Sequence, residues 1–310
     1  MKKVLVMGGS GMLGAMVADY LARQGEYSLC ATVRNPSFAS NMKEFVPEVE
    51  WLVLDAEKSP EKEIVATQQG VDWVINCIGV IKPYVHDDNQ FEIERAIRVN
   101  SLFPHLLRRA AETSGARIIQ IATDCVFSGK RGDYIENDEH DPLDVYGKTK
   151  SLGEVHSKQF CHLRCSIIGP EPKAHLSLLD WFLGQPKDGQ VNGFTNHYWN
   201  GVTTLAFAKI CDGIITQSFD MPLVQHVIPL GKISKTDMLE CFASYYNRRD
   251  IRITPTEAAV RIDRTLGTQN KDLNDKLWMA AGYDHLPTLP QMVEELAQWN
   301  YRIGEYFFSK

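Results

Sequence analysis

No stretch of this 310-residue chain is apolar enough for long enough to span a bilayer as a helix. None of its seven cysteines (Cys30, Cys77, Cys125, Cys161, Cys165, Cys211 and Cys241) forms a C-x-x-C pair. An odd count scattered through apolar runs argues against a disulfide framework and for reduced thiols. Cys161-His162-x-x-Cys165 has a ligand-like spacing, but it lies in an apolar stretch that reads as a buried strand, and a second ligand pair is missing. No metal is expected. Basic stripes are absent too: Arg108-Arg109 and Arg248-Arg249 are isolated pairs in a chain of net charge −6, so no nucleic-acid partner is expected. Any acidic substrate must therefore be met by a local cluster of cations, not by the surface field. The run Val4-Leu5-Val6-Met7 is too short for a signal h-region and glycines follow at once, so a cytoplasmic location is expected, with no membrane partner.

What is present is ordinary for a soluble globular enzyme, with 44% hydrophobic and 23% charged residues and neither repeats nor low-complexity segments. The length suits one large α/β domain, or a nucleotide-binding domain carrying a smaller lobe. Short apolar runs at 4–7, 28–33, 51–54, 73–77, 117–122 and 161–168 read as strands. Several are apolar on successive residues, as in strands covered on both faces. Helical patterns near 13–23, 59–69, 89–113 and 145–158 separate them. That alternation predicts a Rossmann-like, doubly wound parallel sheet over residues 1–168. The breaker clusters Gly169-Pro170-Glu171-Pro172-Lys173 and 184–189 then change the rhythm. Later helices near 203–215, 234–246 and 291–305 and strands near 224–228 and 251–253 predict a mixed α/β lobe. Residues 169–199 and 231–310 are assigned to it, with about 200–230 rejoining the main sheet.

Gly8-Gly9-Ser10-Gly11-Met12-Leu13-Gly14 closes the first strand and opens the first helix. Gly8, Gly11 and Gly14 supply a tight turn, backbone approach to a pyrophosphate and close helix packing, while Ser10, Met12 and Leu13 carry the helix-start N–H groups that would face it. A dinucleotide is the expected ligand. After the second strand stands Arg34, where a carboxylate would hold the ribose of NAD. A guanidinium there suits a 2′-phosphate, so NADP is preferred, with NAD the alternative; the plainer reading of Arg34 is a solvated loop residue.

The pair Tyr146 and Lys150 reads Y-x-x-x-K, and four residues apart on a helix both side chains share one face. An ammonium beside a phenol lowers its pKa and lets it pass a proton at neutral pH. Thr123 and Asp124 follow the fifth strand, at the sheet edge where an open α/β fold keeps its chemistry. Together with the glycine turn, the segments T-D-x-V-F-x-G (123–129) and Y-G-K-x-K-x-x-G-E (146–154) resemble the extended short-chain dehydrogenase/reductase superfamily. The resemblance is closest to dTDP-4-dehydrorhamnose reductases and related nucleotide-sugar reductases, and it covers residues 1–170.

What the resemblance implies is specific. Thr123 would hydrogen-bond the reacting oxygen, Tyr146 would donate the proton, and Lys150 would hold the nicotinamide ribose and tune the phenol. Cys77, Ile78 and Gly79 would pass under the cofactor, Asp55 would meet the adenine, and Asn100 matches an asparagine of the helix that follows. Cys125 departs from the aromatic residue of many relatives, and Ala122 from a frequent serine. The implied activity is NADPH-dependent reduction of a 4-keto nucleotide sugar for deoxysugar and surface polysaccharide synthesis, in a chain that could form a homodimer. The rivals are an epimerase or dehydratase of the same fold and a non-catalytic NADP-binding regulatory subunit, since a regulatory subunit of methionine adenosyltransferase is similar to the same reductases. In the second lobe, Tyr198 and Trp199 within Asn196–Gly201 are the substrate-binding candidates, against an aromatic packing corner. The loop at His86, Asp87 and Asp88 has a substrate-facing reading but is expected to be solvated, and Trp299, Tyr301, Tyr306, Phe307 and Phe308 are expected to pack in the core.

Overall fold

The computed structural model describes residues 1–172 and 175–304. Its first half alternates as the apolar runs require: β1 (Lys2–Met7), α1 (Met12–Gln24), β2 (Tyr27–Val33), α2 (Pro36–Phe45), β3 (Val49–Val53), α3 (Glu61–Thr67) and β4 (Trp73–Asn76). Next come α4 (Gln90–Ala96), a π-helical turn (Ile97–Leu102), α5 (Phe103–Ser114), β5 (Arg117–Ala122), α6 (Val145–Leu152) and β6 (Phe160–Arg164). The second half holds β7 (Ile167–Ile168), α7 (Leu178–Leu183), β8 (Gln190–Phe194), β9 (His197–Trp199), β10 (Val202–Thr203), α8 (Thr204–Gln217) and β11 (Val224–His226). It ends with β12 (Ile233–Ser234), α9 (Lys235–Tyr245), β13 (Arg252–Thr256), β14 (Ile262–Asp263), α10 (Lys271–Ala280) and α11 (Leu289–Gln298).

Seven strands form one sheet in the order β11-β6-β5-β4-β1-β2-β3, every pair parallel. Val4, Leu5, Val6 and Met7 of β1 are fully buried because helices cover both faces, which explains their unbroken apolar run. Successive strands are added on one side of β1 as far as β3 and on its other side from β4 onward, so the ends of β1, β2, β4 and β5 open a crevice on one edge. β11 completes the sheet beside β6 through Val224↔His162 and His226↔Arg164. The remaining strands form small sheets in the second lobe: β10 with β7, β13 with β8, and β9 between β12 and β14.

The apolar stretch at 161–168 is two strands, not one. Ser166 breaks it: its carbonyl accepts Val202 N at 2.8 Å and its hydroxyl accepts Trp199 Nε1 at 2.8 Å. β7 therefore turns toward β10 and away from the main sheet. The helix over 145–158 stops at Leu152 because Gly153 lies against another helix; a Cβ there would come 1.9 Å from Asn100 O. That carbonyl sits in the π turn, four residues before Pro104, which has no N–H to offer it. Helix α2 went unanticipated although Asn35 caps it, accepting Ser37 N at 2.8 Å, and Pro36 takes its first position.

Helix α11 ends at Gln298, short of the expected 305; residues 302–304 are helical again, and Glu305, Tyr306, Phe307 and Phe308 lie outside the described residues, as does Lys173 of the first breaker cluster. Trp299 packs on Tyr20 with ring centres 5.7 Å apart and donates its indole N–H to Asp19 Oδ2 at 3.1 Å. Tyr301 lies against the same core.

Candidate active site

The glycine turn is built for close approach. Gly8 adopts φ +86°, and a Cβ on Gly14 would stand 2.3 Å from Gly8 O, so neither position accepts a side chain. Gly8 N donates to Thr32 Oγ1 at 3.1 Å and Gly9 N to Thr32 O at 2.8 Å, tying the turn to the end of β2. Helix α1 begins after Gly11 with neither a side-chain cap nor a carboxylate in its first turn. Its free N–H groups and positive dipole end suit a pyrophosphate. Ser10 and Leu13 are buried beneath this turn and Met12 half-buried, so Ser10, Met12 and Leu13 can offer backbone more readily than side chain. Arg34 is exposed at the end of β2, next to the turn. Asp55 is half-buried after β3 and caps a turn, accepting Glu57 N at 3.0 Å.

Across β1, Asn76 Oδ1 accepts Ile78 N at 3.1 Å and its amide donates to Gln120 Oε1 at 2.7 Å, which shapes the Cys77–Gly79 segment. Asn100 locks the following residues, accepting Val80 N at 2.8 Å and donating to Val80 O at 2.9 Å. Its amide also reaches Thr149 Oγ1 at 3.3 Å, so Asn100 ties this loop to α6.

Asp144 caps α6, accepting Gly147 N at 2.8 Å, and its other oxygen pairs with Lys82 at 2.6 Å. The Asp87 carboxylate accepts Val145 N at 3.0 Å. The loop expected to be solvated thus holds the start of the helix that carries Tyr146 and Lys150. Lys150 is buried and donates to Ile121 O at 2.9 Å. Burial pulls its pKa down to about 8, against the pull of Glu154 and Cys77 in the opposite direction. Desolvation raises the Tyr146 phenol, Cys125 and Asp124 raise it further, and an interaction with the Thr123 hydroxyl opposes them. The lowering expected from Lys150 is outweighed by burial, so Tyr146 is a protonated acid throughout the neutral range, and Thr123 stands beside it. The Thr123 hydroxyl also accepts Cys125 N at 3.2 Å and faces Asp124 Oδ1 at 3.3 Å. Asp124 is buried, and desolvation raises its pKa against Arg264 and Lys235. Thr123, Asp124, Tyr146 and Lys150 form one cluster at the sheet edge.

Trp199 is buried, with its N–H held by Ser166. Tyr198 is half-buried under two cations, Lys232 Nζ 5.3 Å and Arg261 Cζ 5.4 Å from its ring centre. A depression of about 270 Å³ opens beside Trp199, walled by Pro229, Leu230, Lys232 and Ile233. Tyr198 is thus presented among cations, while Trp199 packs in the core. Lys82, Lys235 and Arg264 were not among the sequence candidates, and Asp87 was expected in a solvated loop. Asp144 standing just before V-Y-G-K was a readable N-cap signal, but the second-lobe cations have no motif.

Behind the cluster lies a buried polar network. Arg164 at the end of β6 is 1% exposed and grips Glu154 with Nε at 3.1 Å and Nη2 at 2.6 Å. Its Nη1 donates to His226 Nε2 at 2.7 Å and its Nη2 to His140 Nε2 at 2.9 Å. A guanidinium only donates, so both imidazoles accept through Nε2 and carry their protons on Nδ1. His226 Nδ1 accordingly donates to Gly267 O at 2.7 Å. Burial, with Arg164 adding to it, holds His226 at about 4, and burial alone accounts for most of the drop of His162 to about 4. His162 is fully buried, and its Nδ1 has no hydrogen-bond partner among the described residues. Its folded pKa lies below the usual 6.5, so the unfolded chain binds the proton first as pH falls. The stability associated with neutral His162 is complete above pH 6.5 and is lost between there and about 4. His162→Gln should flatten the fall of urea-unfolding stability across that window by roughly 2–3 kcal/mol. An unchanged pH slope in the variant would assign the loss to other groups.

Three comparisons bear on this site. The family model described as RmlD substrate binding domain matches residues 1–168. A dTDP-4-dehydrorhamnose reductase of Mycolicibacterium smegmatis is 32% identical over 182 residues, 58% of this chain and 46% of that protein. Methionine adenosyltransferase 2 subunit beta of Danio rerio is 44% identical over 156 residues, 47% of this chain and 48% of that protein. The chain thus spans about half the length of these curated relatives. In fold, a dTDP-4-dehydrorhamnose reductase from Bacillus anthracis solved in complex with NADP superposes with a TM-score of 0.72 at 18% identity, covering 96% of this chain and 98% of that one. The matched residues hold the glycine turn, Thr123, Tyr146 and Lys150, and the chain belongs to the RmlD substrate binding domain family.

Proposed function

We propose that this chain is an NADPH-dependent reductase of a 4-keto nucleotide sugar, of the dTDP-4-dehydrorhamnose reductase kind, acting in the cytoplasm in deoxysugar and surface polysaccharide synthesis. The observation that carries the reading is the cluster of Thr123, Tyr146 and Lys150 at the sheet edge that the glycine turn opens onto. The turn fits a dinucleotide: its glycines leave no room for a Cβ, and the start of α1 is uncapped. NADPH held there would supply hydride to the carbonyl carbon of the sugar. Tyr146, kept protonated by burial, gives its proton to the carbonyl oxygen as the C–O bond becomes an alcohol. Thr123 steadies the charge on that oxygen, and Lys150 provides the cation beneath. The reacting sugar lies between this edge and the second lobe, where Tyr198 offers a ring and a hydroxyl.

The direct test is a panel of 4-keto nucleotide sugars with NADPH, followed by cofactor absorbance and product stereochemistry. Oxidation of NADPH with one panel member, and an alcohol product, is the expected result. Product formation without net loss of NADPH would instead make the chain an epimerase or dehydratase. The Danio rerio relative favours a second reading, a non-catalytic binding subunit. Such a protein would bind NADPH and oxidise it with no member of the panel.

Arg34, exposed just after β2, supports a preference for NADPH. Arg34→Ala should weaken NADPH by roughly tenfold or more and NADH by little, since a charge-assisted pair with the 2′-phosphate is lost only from the former. Equal losses for both cofactors in a titration would make Arg34 a surface residue. Exposed Phe91, Ile97, Leu102 and Leu152 on the α4–α5 segment and the end of α6 suit a second copy of the chain. Sedimentation of the purified protein reads that state.

A further inference from the structure

Two cations of the second lobe converge on the Thr123–Cys125 segment from separate elements. Lys235 opens α9 directly after β12, which pairs antiparallel with β9. Arg264 directly follows β14, which pairs with the other side of β9. The stem of Arg264 crosses the loop at Gly129, which has φ +83° and where a Cβ would meet Arg264 Cγ at 2.8 Å. Both cations act on the Asp124 carboxylate and on the Cys125 thiol. These positions adjoin Thr123 and Tyr146.

Neither cation is used up by the protein. Among the described residues, Lys235 Nζ makes one contact, to the Met238 thioether at 3.9 Å, and stands 5.9 Å from the ring centre of Trp199. Arg264 spends Nε on Phe127 O at 2.9 Å, and its two Nη groups make no hydrogen bond among the described residues. The nearby carboxylate of Asp144 is already paired with Lys82 at 2.6 Å. Asp124 alone therefore faces two cations. A half-buried ammonium whose one hydrogen bond among the described residues goes to a thioether is a poor end state, because a desolvated charge needs an oxygen partner. Lys235 and Arg264 together carry one positive charge more than the Asp124 carboxylate they share. The negative charge of the whole chain gives no such field, so this surplus is local.

We propose that Lys235 and Arg264 form an anion subsite beside the reacting oxygen, taking an oxyanion group of the substrate. The inference rests on the nucleotide-sugar reading above. Two groups of such a substrate carry the required chemistry: a phosphate oxygen of its diphosphate and a carboxylate on its sugar. Lys235 supplies a point charge over Trp199, and Arg264 supplies the planar fork. Asp124 holds the two cations apart and oriented before ligand arrives.

The test uses the full chain saturated with NADPH, titrated calorimetrically with UDP, UDP-glucose and UDP-glucuronate, and with dTDP and dTDP-glucose. Lys235→Gln and Arg264→Gln should each weaken binding by roughly tenfold, a lost charge-assisted contact, with NADPH affinity and melting temperature unchanged. Lys235→Arg should restore most of it. Equal losses for nucleoside diphosphates and both classes of sugar nucleotide identify the diphosphate as the anion. A loss confined to UDP-glucuronate identifies the carboxylate. If the wild type binds these probes and both glutamine variants bind them equally well, the subsite is wrong and the nucleotide-sugar reading stands. If Lys235→Arg loses as much as Lys235→Gln together with its melting temperature, Lys235 is a structural partner of Asp124 and the proposal is overturned. If the wild type binds none of the probes, the nucleotide-sugar reading fails and takes the subsite with it.

Discussion

Tyr146→Phe should lower turnover of the confirmed substrate by roughly two orders of magnitude or more while leaving NADPH affinity nearly intact. The phenol holds its proton at neutral pH, because desolvation, Cys125 and Asp124 all raise it. Phenylalanine keeps the ring, which packs with Val80, Val85 and Val99, and removes only the hydroxyl. Cofactor contacts proposed for the glycine turn and Lys150 are untouched by the change. The loss should therefore appear in kcat and equally in kcat/KM, as for an interaction made only in the transition state. Single-turnover kinetics with NADPH in excess would measure it free of product release. Turnover surviving at the wild-type rate would exclude Tyr146 as the proton donor and move attention to Asp124, the other raised acid in the cluster.

The first half of the chain was legible because its signals are local. A parallel strand covered on both faces is an unbroken apolar run, and β1 through β5 all fall within a few residues of the runs that announced them. The glycine turn and Y-x-x-x-K could be read for the same reason: one helix or one turn sets their geometry. What could not be read depends on distant chain. Nothing near residue 166 says that its hydroxyl will receive the Trp199 indole, 33 positions away, and split a strand in two. Nothing near Gly153 reports the Asn100 carbonyl that ends α6. The Lys235 and Arg264 pair is the clearest case. Each is a single cation in an unremarkable segment, and only the pairing of β12 and β14 with β9 brings both to Asp124. Trp199 shows the converse, an aromatic that invited a ligand role while its N–H was already committed to Ser166.

Arg164→Met should cost roughly 3–5 kcal/mol of folding stability, the scale for removing one partner of a buried ion pair. Glu154 would be left at 10% side-chain exposure facing two imidazoles that have lost their donor. The network joins parts far apart in sequence: Glu154 just past α6, His140 on the loop after β5, and His226 on β11 with Gly267 of the second lobe beyond it. Glu154 is also a negative charge acting on Lys150. Loss of the guanidinium should thus loosen the end of the helix that carries the proton donor, as well as the seam between sheet and lobe. Arg164→Lys keeps the charge without the fork and should recover only part of the stability, since one ammonium cannot span Glu154 and both histidines. The double variant Arg164→Met, Glu154→Gln removes the stranded carboxylate and should be more stable than Arg164→Met alone. Urea denaturation of the wild type, Arg164→Met, Glu154→Gln and the double variant measures the coupling. Additive losses from Arg164→Met and Glu154→Gln would mean that the two residues stabilise the fold independently, and that this buried pair does not bind the helix end to the lobe.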